Sequence, residues 1–144
     1  MANSGKIFSL QLCPGHRKPM QKVRSTEAIE QVGLKGDRHA IRDSARQILL
    51  IEKETLDSLS LQSGEVKENI TTEGLELMNL QYGEKLKVGD DVVLEITKAC
   101  TPCSRMEEIR AGLLTKLGGR RGMLARVVAG GTITQDDTIT ILEK

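Results

Sequence analysis

In 144 residues this chain has one Phe, one Tyr and no Trp. A core without large rings must be aliphatic, built from Leu, Ile, Val and Met. At this length a folded chain buries about two-thirds of the surface its unfolded form exposes, so such a core is self-sufficient. The length also predicts one domain, on a scale of roughly 100–200 residues per domain. Hydrophobic residues make up 38% and charged residues 28%, the balance of a globular protein rather than a disordered one.

The same shortage excludes some functions. Single-strand nucleic-acid binders stack bases on several aromatic side chains, and Phe8 and Tyr82 are too few. Net charge is +1, so no global basic field invites nucleic acid or an acidic membrane. The charge is uneven, however. Residues 1–50 hold nine Lys/Arg against four Asp/Glu, residues 51–100 five against eleven, and residues 101–144 seven against five. A small anion suits the basic ends, whereas a polyanion also meets the acidic middle. The longest apolar runs, such as Ile48 to Ile51, fall far short of the roughly 20 residues that span a bilayer. The opening residues have no leader pattern. The expectation is a cytoplasmic protein without a membrane partner.

Local patterns predict mostly strands. Lys6 to Leu12 alternates and stops at Pro14-Gly15. Thr26 to Leu34 fits a short helix or a strand with a turn. Arg46 to Ile51 has the aliphatic run of a buried strand and leads into a short helix over Glu52 to Leu61. Glu68 to Thr71, Val92 to Thr97, Met123 to Val128 and Thr138 to Leu142 read as further strands. Leu75 to Val88 is irregular, and turns fall at Gly89-Asp90-Asp91 and Gly130-Gly131. Ser104 with Glu107 resembles a capping box for a helix over Arg105 to Leu113, which Gly118 and Gly119 break. Short strands between glycine-rich turns, with a few short helices, predict a mainly β domain that closes or partly closes as a barrel.

Four clusters bear chemistry. Cys100-Thr101-Pro102-Cys103 sits where a strand ends and a helix begins, and the helix dipole lowers the pKa of a thiol placed there, Cys103 more than Cys100. Such cysteines also serve as small buried hydrophobes. A thioredoxin-like redox reading wants a βαβ setting that the surroundings do not suggest. Cys13 and His16 have the same two-residue gap, so Cys13, His16, Cys100 and Cys103 make a possible zinc set in a non-catalytic binding module. Asp37-Arg38-His39 and Arg120-Arg121-Gly122 suit phosphate or carboxylate binding, or equally a polar turn and solvated arginines. Asn69 reads as a structural amide or a ligand contact.

Taken in order, several segments resemble the MOSC domain family, named after the C-terminal part of molybdenum-cofactor sulfurases. They are Gly33-Leu34-Lys35-Gly36-Asp37-Arg38-His39, Arg46-Gln47-Ile48, Glu68-Asn69-Ile70-Thr71 with Gly74, and Leu86-Lys87-Val88-Gly89-Asp90. Pro102-Cys103 and Arg121-Gly122 with Ala125 and Val127 complete the set. The resemblance covers about residues 30–140 and implies a single domain over 1–144 with a barrel-like fold. It implies that Cys103 carries sulfur as a persulfide or ligates the molybdenum of a molybdopterin-type cofactor. Asp37, Arg38, His39, Asn69 and Arg121 would line the pocket, with the two arginines on a cofactor phosphate.

The resemblance also implies a sulfur donor, or molybdenum enzymes and cofactor-biosynthesis proteins, as partners. Some members are components of molybdenum-dependent reductases acting on N-hydroxylated compounds. Cys100 is a departure, a second thiol able to pair with Cys103 or resolve a persulfide. Stand-alone members lack the accessory domain of larger cofactor enzymes, so a complete site draws on a partner or a second copy.

Overall fold

The computed structural model describes residues 3–101 and 105–142. Its strands are β1 (Ser4–Leu12), β2 (Gln21–Val23), β3 (Ser25–Ile29), β4 (Gly33–Leu34), β5 (Ile48–Glu52), β6 (Ile70–Glu73), β7 (Lys85–Val88), β8 (Val92–Ala99), β9 (Met123–Ala129), β10 (Gly131–Thr134) and β11 (Thr138–Ile141). Three short helices are α1 (Lys53–Ser58), α2 (Arg105–Ile109) and α3 (Leu113–Leu117).

The large sheet runs β11-β7-β8-β9-β5-β6-β1-β2, and β11 also pairs with β1. Seven strands therefore close on themselves, with β2 extending the far half of β1. Closure removes the open edges that would invite further pairing. Every pairing in the barrel is antiparallel except β5 with β6. That parallel pair needs a crossover, which α1 and the following loop supply. A smaller sheet, β10-β3-β4, packs over the barrel against β9 and β8.

Side-chain periodicity follows the pleat. In β8, Val92, Leu94 and Ile96 point inward while Val93, Glu95 and Thr97 alternate outward. In β5 all of Ile48, Leu49, Leu50 and Ile51 are buried, because both faces are covered. Ile48 and Leu50 fill the barrel core, while Ile51 joins a second cluster with Leu56, Met106, Leu113 and Leu117. The barrel core contains aliphatic residues, and Tyr82 lies exposed at the surface.

The structure corrects two local readings and resolves a third. The helix expected over Arg105 to Leu113 is two helices, α2 and α3, divided at Gly112, whose φ is +84°. Glu107 has its expected capping-box partner, Ser104, outside the described residues. Its two carboxylate oxygens accept the Gly112 and Leu114 N–H groups and so cap α3. Gly130-Gly131 is not wholly a turn, since Gly131 opens β10. Thr26 to Leu34 forms β3 and β4, joined by a turn with Gln31 at φ +64°.

Candidate functional site

One cavity of about 420 Å³ has a wall made from residues that flank strand ends. Cys13 follows β1, Asn69 precedes β6, Cys100 follows β8, and Arg121 lies two positions before β9. Leu49 of β5 and Met106 of α2 add apolar surface. These six residues are all buried.

The wall is held by a hydrogen-bond network centred on Asp37. Its side chain is fully buried. Oδ1 accepts the Cys13 N–H at 2.6 Å and the Asn69 amide at 3.0 Å. Oδ2 accepts the His39 N–H at 3.0 Å and lies 3.4 Å from His39 Nδ1. Asn69 Oδ1 in turn accepts the Leu49 N–H, and its amide also reaches the Gln11 carbonyl. A buried carboxylate is tolerable only with such partners. Asp37 is therefore a tie beneath the cavity, while Arg38, His39, Asn69 and Arg121 border the cavity itself.

Gln47 makes a similar tie on the loop before β5. Its amide donates to the Gln31 and Ile41 carbonyls, and its oxygen accepts the Val127 N–H. Arg121 donates to the Val66 carbonyl at 2.6 Å, drawing the Gly64–Asn69 loop against the chain before β9. The glycine beside it has a packing role. Gly122 has φ +121°, and a Cβ there would collide with the Leu50 carbonyl and come within 3.1 Å of Leu49 Cδ1.

Behind the wall lies a polar cluster that sequence reading did not pick out. Ser9 donates to Gln11, Gln11 donates to the Glu68 carbonyl, and Glu68 Oε2 accepts the Gly64 N–H and the Thr71 hydroxyl. Burial pushes the Glu68 carboxyl above its ordinary pKa, outweighing these bonds and the nearby Arg121 charge.

The rim is basic. Arg17, Lys18, Arg38, Arg46 and Lys67 are exposed there, with half-buried Arg105 beside them. Together with buried Arg121, seven Lys/Arg among the described residues border the cavity against one carboxylate, Glu108. Their field is felt at His16, whose pKa is lowered by desolvation and then by Arg105, Arg38 and Arg17. Arg38 donates a hydrogen bond to neutral His16 at Nδ1, 3.1 Å away.

Of the expected site residues, Cys103 lies outside the described residues. Cys13 and Cys100 are buried free thiols in the cavity wall. The fourth member of the possible zinc set, Cys103, lies outside the described residues. Among the described residues no three His, Cys, Asp or Glu side chains gather to hold a metal ion, and this includes Cys13, His16 and Cys100. His16 is turned to Arg38 instead. Arg17, Lys18, Lys67 and Arg105 were not foreseen as rim residues, because scattered cations carry no local pattern.

The model for the family described as MOSC domain matches residues 36–140. The chain belongs to the MOSC domain family. A relative from Gibberella moniliformis named "Reductase" is 38% identical over 85 residues, 56% of this chain. The match spans only 15% of that reductase. Among solved structures, the YUAD protein from Bacillus subtilis superposes with a TM-score of 0.80 at 15% identity, covering 96% of this MOSC chain and 95% of its own. YiiM from Geobacillus stearothermophilus gives 0.77 at 16% identity, covering 96% and 75%. YiiM from Escherichia coli gives 0.74 at 16% identity, covering 96% and 70%. At such identities these likenesses establish the fold, and the mainly β barrel is common ground. Among the described residues no helix is long and apolar enough to cross a membrane.

Proposed function

We propose that this MOSC domain binds a molybdopterin-type molybdenum cofactor, or handles sulfur for one, in the basic cavity. The observation that carries the reading is the composition of the cavity border, seven cations around a wall containing two thiols. Cationic side chains suit a phosphate, and thiolates suit a soft metal. A bare divalent cation would be repelled by the same rim, so the donor set fits a phosphorylated metal complex better than zinc. Among the described residues the cavity border has no aromatic ring, so flat contact with a pterin would fall to Leu49, Met106 and Ile109.

In this reading Arg38 and Arg121 hold the cofactor phosphate, with Asn69 and His39 orienting the ligand. Asp37 acts through its neighbours, by fixing the Cys13 and His39 backbone and the Asn69 amide. Cys103 is the reacting thiol. As a sulfur carrier, its thiolate attacks the outer sulfur of a donor persulfide. A new S–S bond forms on Cys103, and the donor leaves as a thiolate. As a metal ligand, the same thiolate donates to molybdenum. A bound molybdenum cofactor supplies two-electron redox chemistry. The partners are then a sulfur-donor protein or the enzymes that make and use the cofactor, in the cytoplasm.

The test is elemental analysis of the purified protein with intact mass before and after reduction. Molybdenum near one per chain, or an added mass of one sulfur atom that reductant removes, supports the reading if Cys103→Ser abolishes it. Stoichiometric zinc lost from Cys13→Ser, Cys100→Ser and Cys103→Ser alike overturns it in favour of a zinc-stabilised module.

The likeness of 85 residues to part of a protein named "Reductase" fits a second reading, in which the family resemblance supplies the chemistry: part of a molybdenum-dependent reductase for N-hydroxylated compounds. There the N–O bond breaks with two electrons and two protons, giving the amine and water. The electrons come from a separate redox partner protein. Molybdenum-loaded protein that fails to reduce any hydroxylamine or amidoxime with a chemical donor sinks this second reading alone.

A further inference from the structure

Residues 13–20 form a strap that leaves the end of β1, passes the cavity and enters β2. Backbone bonds from Cys13 to Asp37 and Arg38 anchor its start, and three further bonds along it each use a rim cation that the proposed ligand would want. Arg17 on the strap meets Glu108 of α2 at 2.8 Å. Arg38 donates to His16 on the strap, and Lys67 donates to the Lys18 carbonyl. Three of the rim cations, Arg17, Arg38 and Lys67, are thus already engaged by acceptors of the protein itself.

Glu108 stands apart among those acceptors. Among the described residues it is the single carboxylate on the border of a cavity ringed by Lys and Arg. The bond from Arg17, its charge and that of Arg105 hold the Glu108 carboxyl below the usual range, so it is an anion at neutral pH. Arg17 reaches it from a left-handed backbone, φ +57°, which a residue with a side chain adopts reluctantly. Both side chains are more than half exposed, 60% and 54%, so water and dissolved anions reach the pair.

We infer that Glu108 is an internal competitor. Its carboxylate takes the position of a ligand anion at Arg17, latches the strap across the rim, and must be displaced before Arg17 can serve a ligand. The inference rests on the anion-binding reading of the cavity and adds how its occupancy is regulated. A bound phosphate ester takes over Arg17 and frees α2 from the strap.

The experiment is calorimetric titration of the full chain with inorganic pyrophosphate at low ionic strength, where exposed pairs are least screened. Glu108→Gln should bind about two- to fivefold more tightly, the range expected for losing one exposed ion pair. Arg17→Ala should bind more weakly than the parent. In the Arg17→Ala background, Glu108→Gln should bring no further gain, since the competitor has nothing left to hold. A gain that persists without Arg17 means that Glu108 acts only by long-range charge, and overturns the latch. So does an unchanged affinity in Glu108→Gln, while pyrophosphate binding by the parent leaves the anion pocket standing. If neither parent nor variants bind pyrophosphate, the anion-binding reading itself falls and the latch with it. Thermal unfolding of each variant confirms that the fold is retained.

Discussion

Asp37 and Arg17 both hold the strap that borders the cavity, under opposite conditions of solvation. The Asp37 carboxylate is fully buried and accepts three N–H donors from three separate segments. Arg17 makes one ion pair with its side chain 60% exposed. In the first case no water waits to replace a lost partner, so each bond is costly to leave unmade. In the second, water and salt replace the partner readily. One cavity thus combines a rigid wall with an exchangeable rim, and the difference comes from burial rather than from residue type.

The contrast can be broken most sharply at the wall. Gly122→Ala forces a Cβ into the Leu50 carbonyl and a side chain into φ +121°. The expected loss is about 2–5 kcal/mol, read from urea unfolding. A loss near zero would mean that the backbone here is not tightly seated. Asp37→Ala leaves the Cys13 and His39 N–H groups and the Asn69 amide without their acceptor. It should cost about 3 kcal/mol in the same assay.

Glu68→Gln sharpens the comparison through pH. Because the folded pKa of Glu68 is raised above 4.5, its contribution is fully present below pH 4.5. That contribution is lost as pH rises through the folded value. Gln does not ionise, so the variant should gain on the parent in Tm as pH rises from 4.5 to neutrality. A difference that does not vary with pH would show that the carboxyl is not shifted. The smallest effect is expected at the rim, where Arg17→Ala should change stability by less than about 0.5 kcal/mol. A loss as large as that at Asp37 would abolish the distinction between wall and rim.

Much of the barrel was legible because strand signals are local. The alternation in β8 and β11 and the aliphatic run of β5 reflect the pleat and its burial, which neighbouring residues encode. The helix expected from Arg105 begins there but stops early, because Gly112 takes a left-handed φ of +84° and Glu107 caps the next helix at Gly112 and Leu114. Ordered motifs pointed to Arg38, His39, Asn69 and Arg121, which do border one cavity. They did not distinguish Asp37, which ties the cavity wall, from the residues that border it. They contained Gln47 without showing its tie to Gln31, Ile41 and Val127, and they did not reveal Arg17 or Glu108.

The sequence by itself determined the aliphatic core, the strand-rich class and the family. Each of these rests on composition, on short-range periodicity or on motif order, all of which survive without coordinates. Only the tertiary structure decided that cations from the strap, two loops and α2 share one rim, and that Glu108 lies among them. The physical reason is that barrel closure joins strand ends that are distant in the chain. Electrostatic and hydrogen-bond energies depend on separation in space, so Arg17 meets Glu108 across 91 positions with nothing local to announce it.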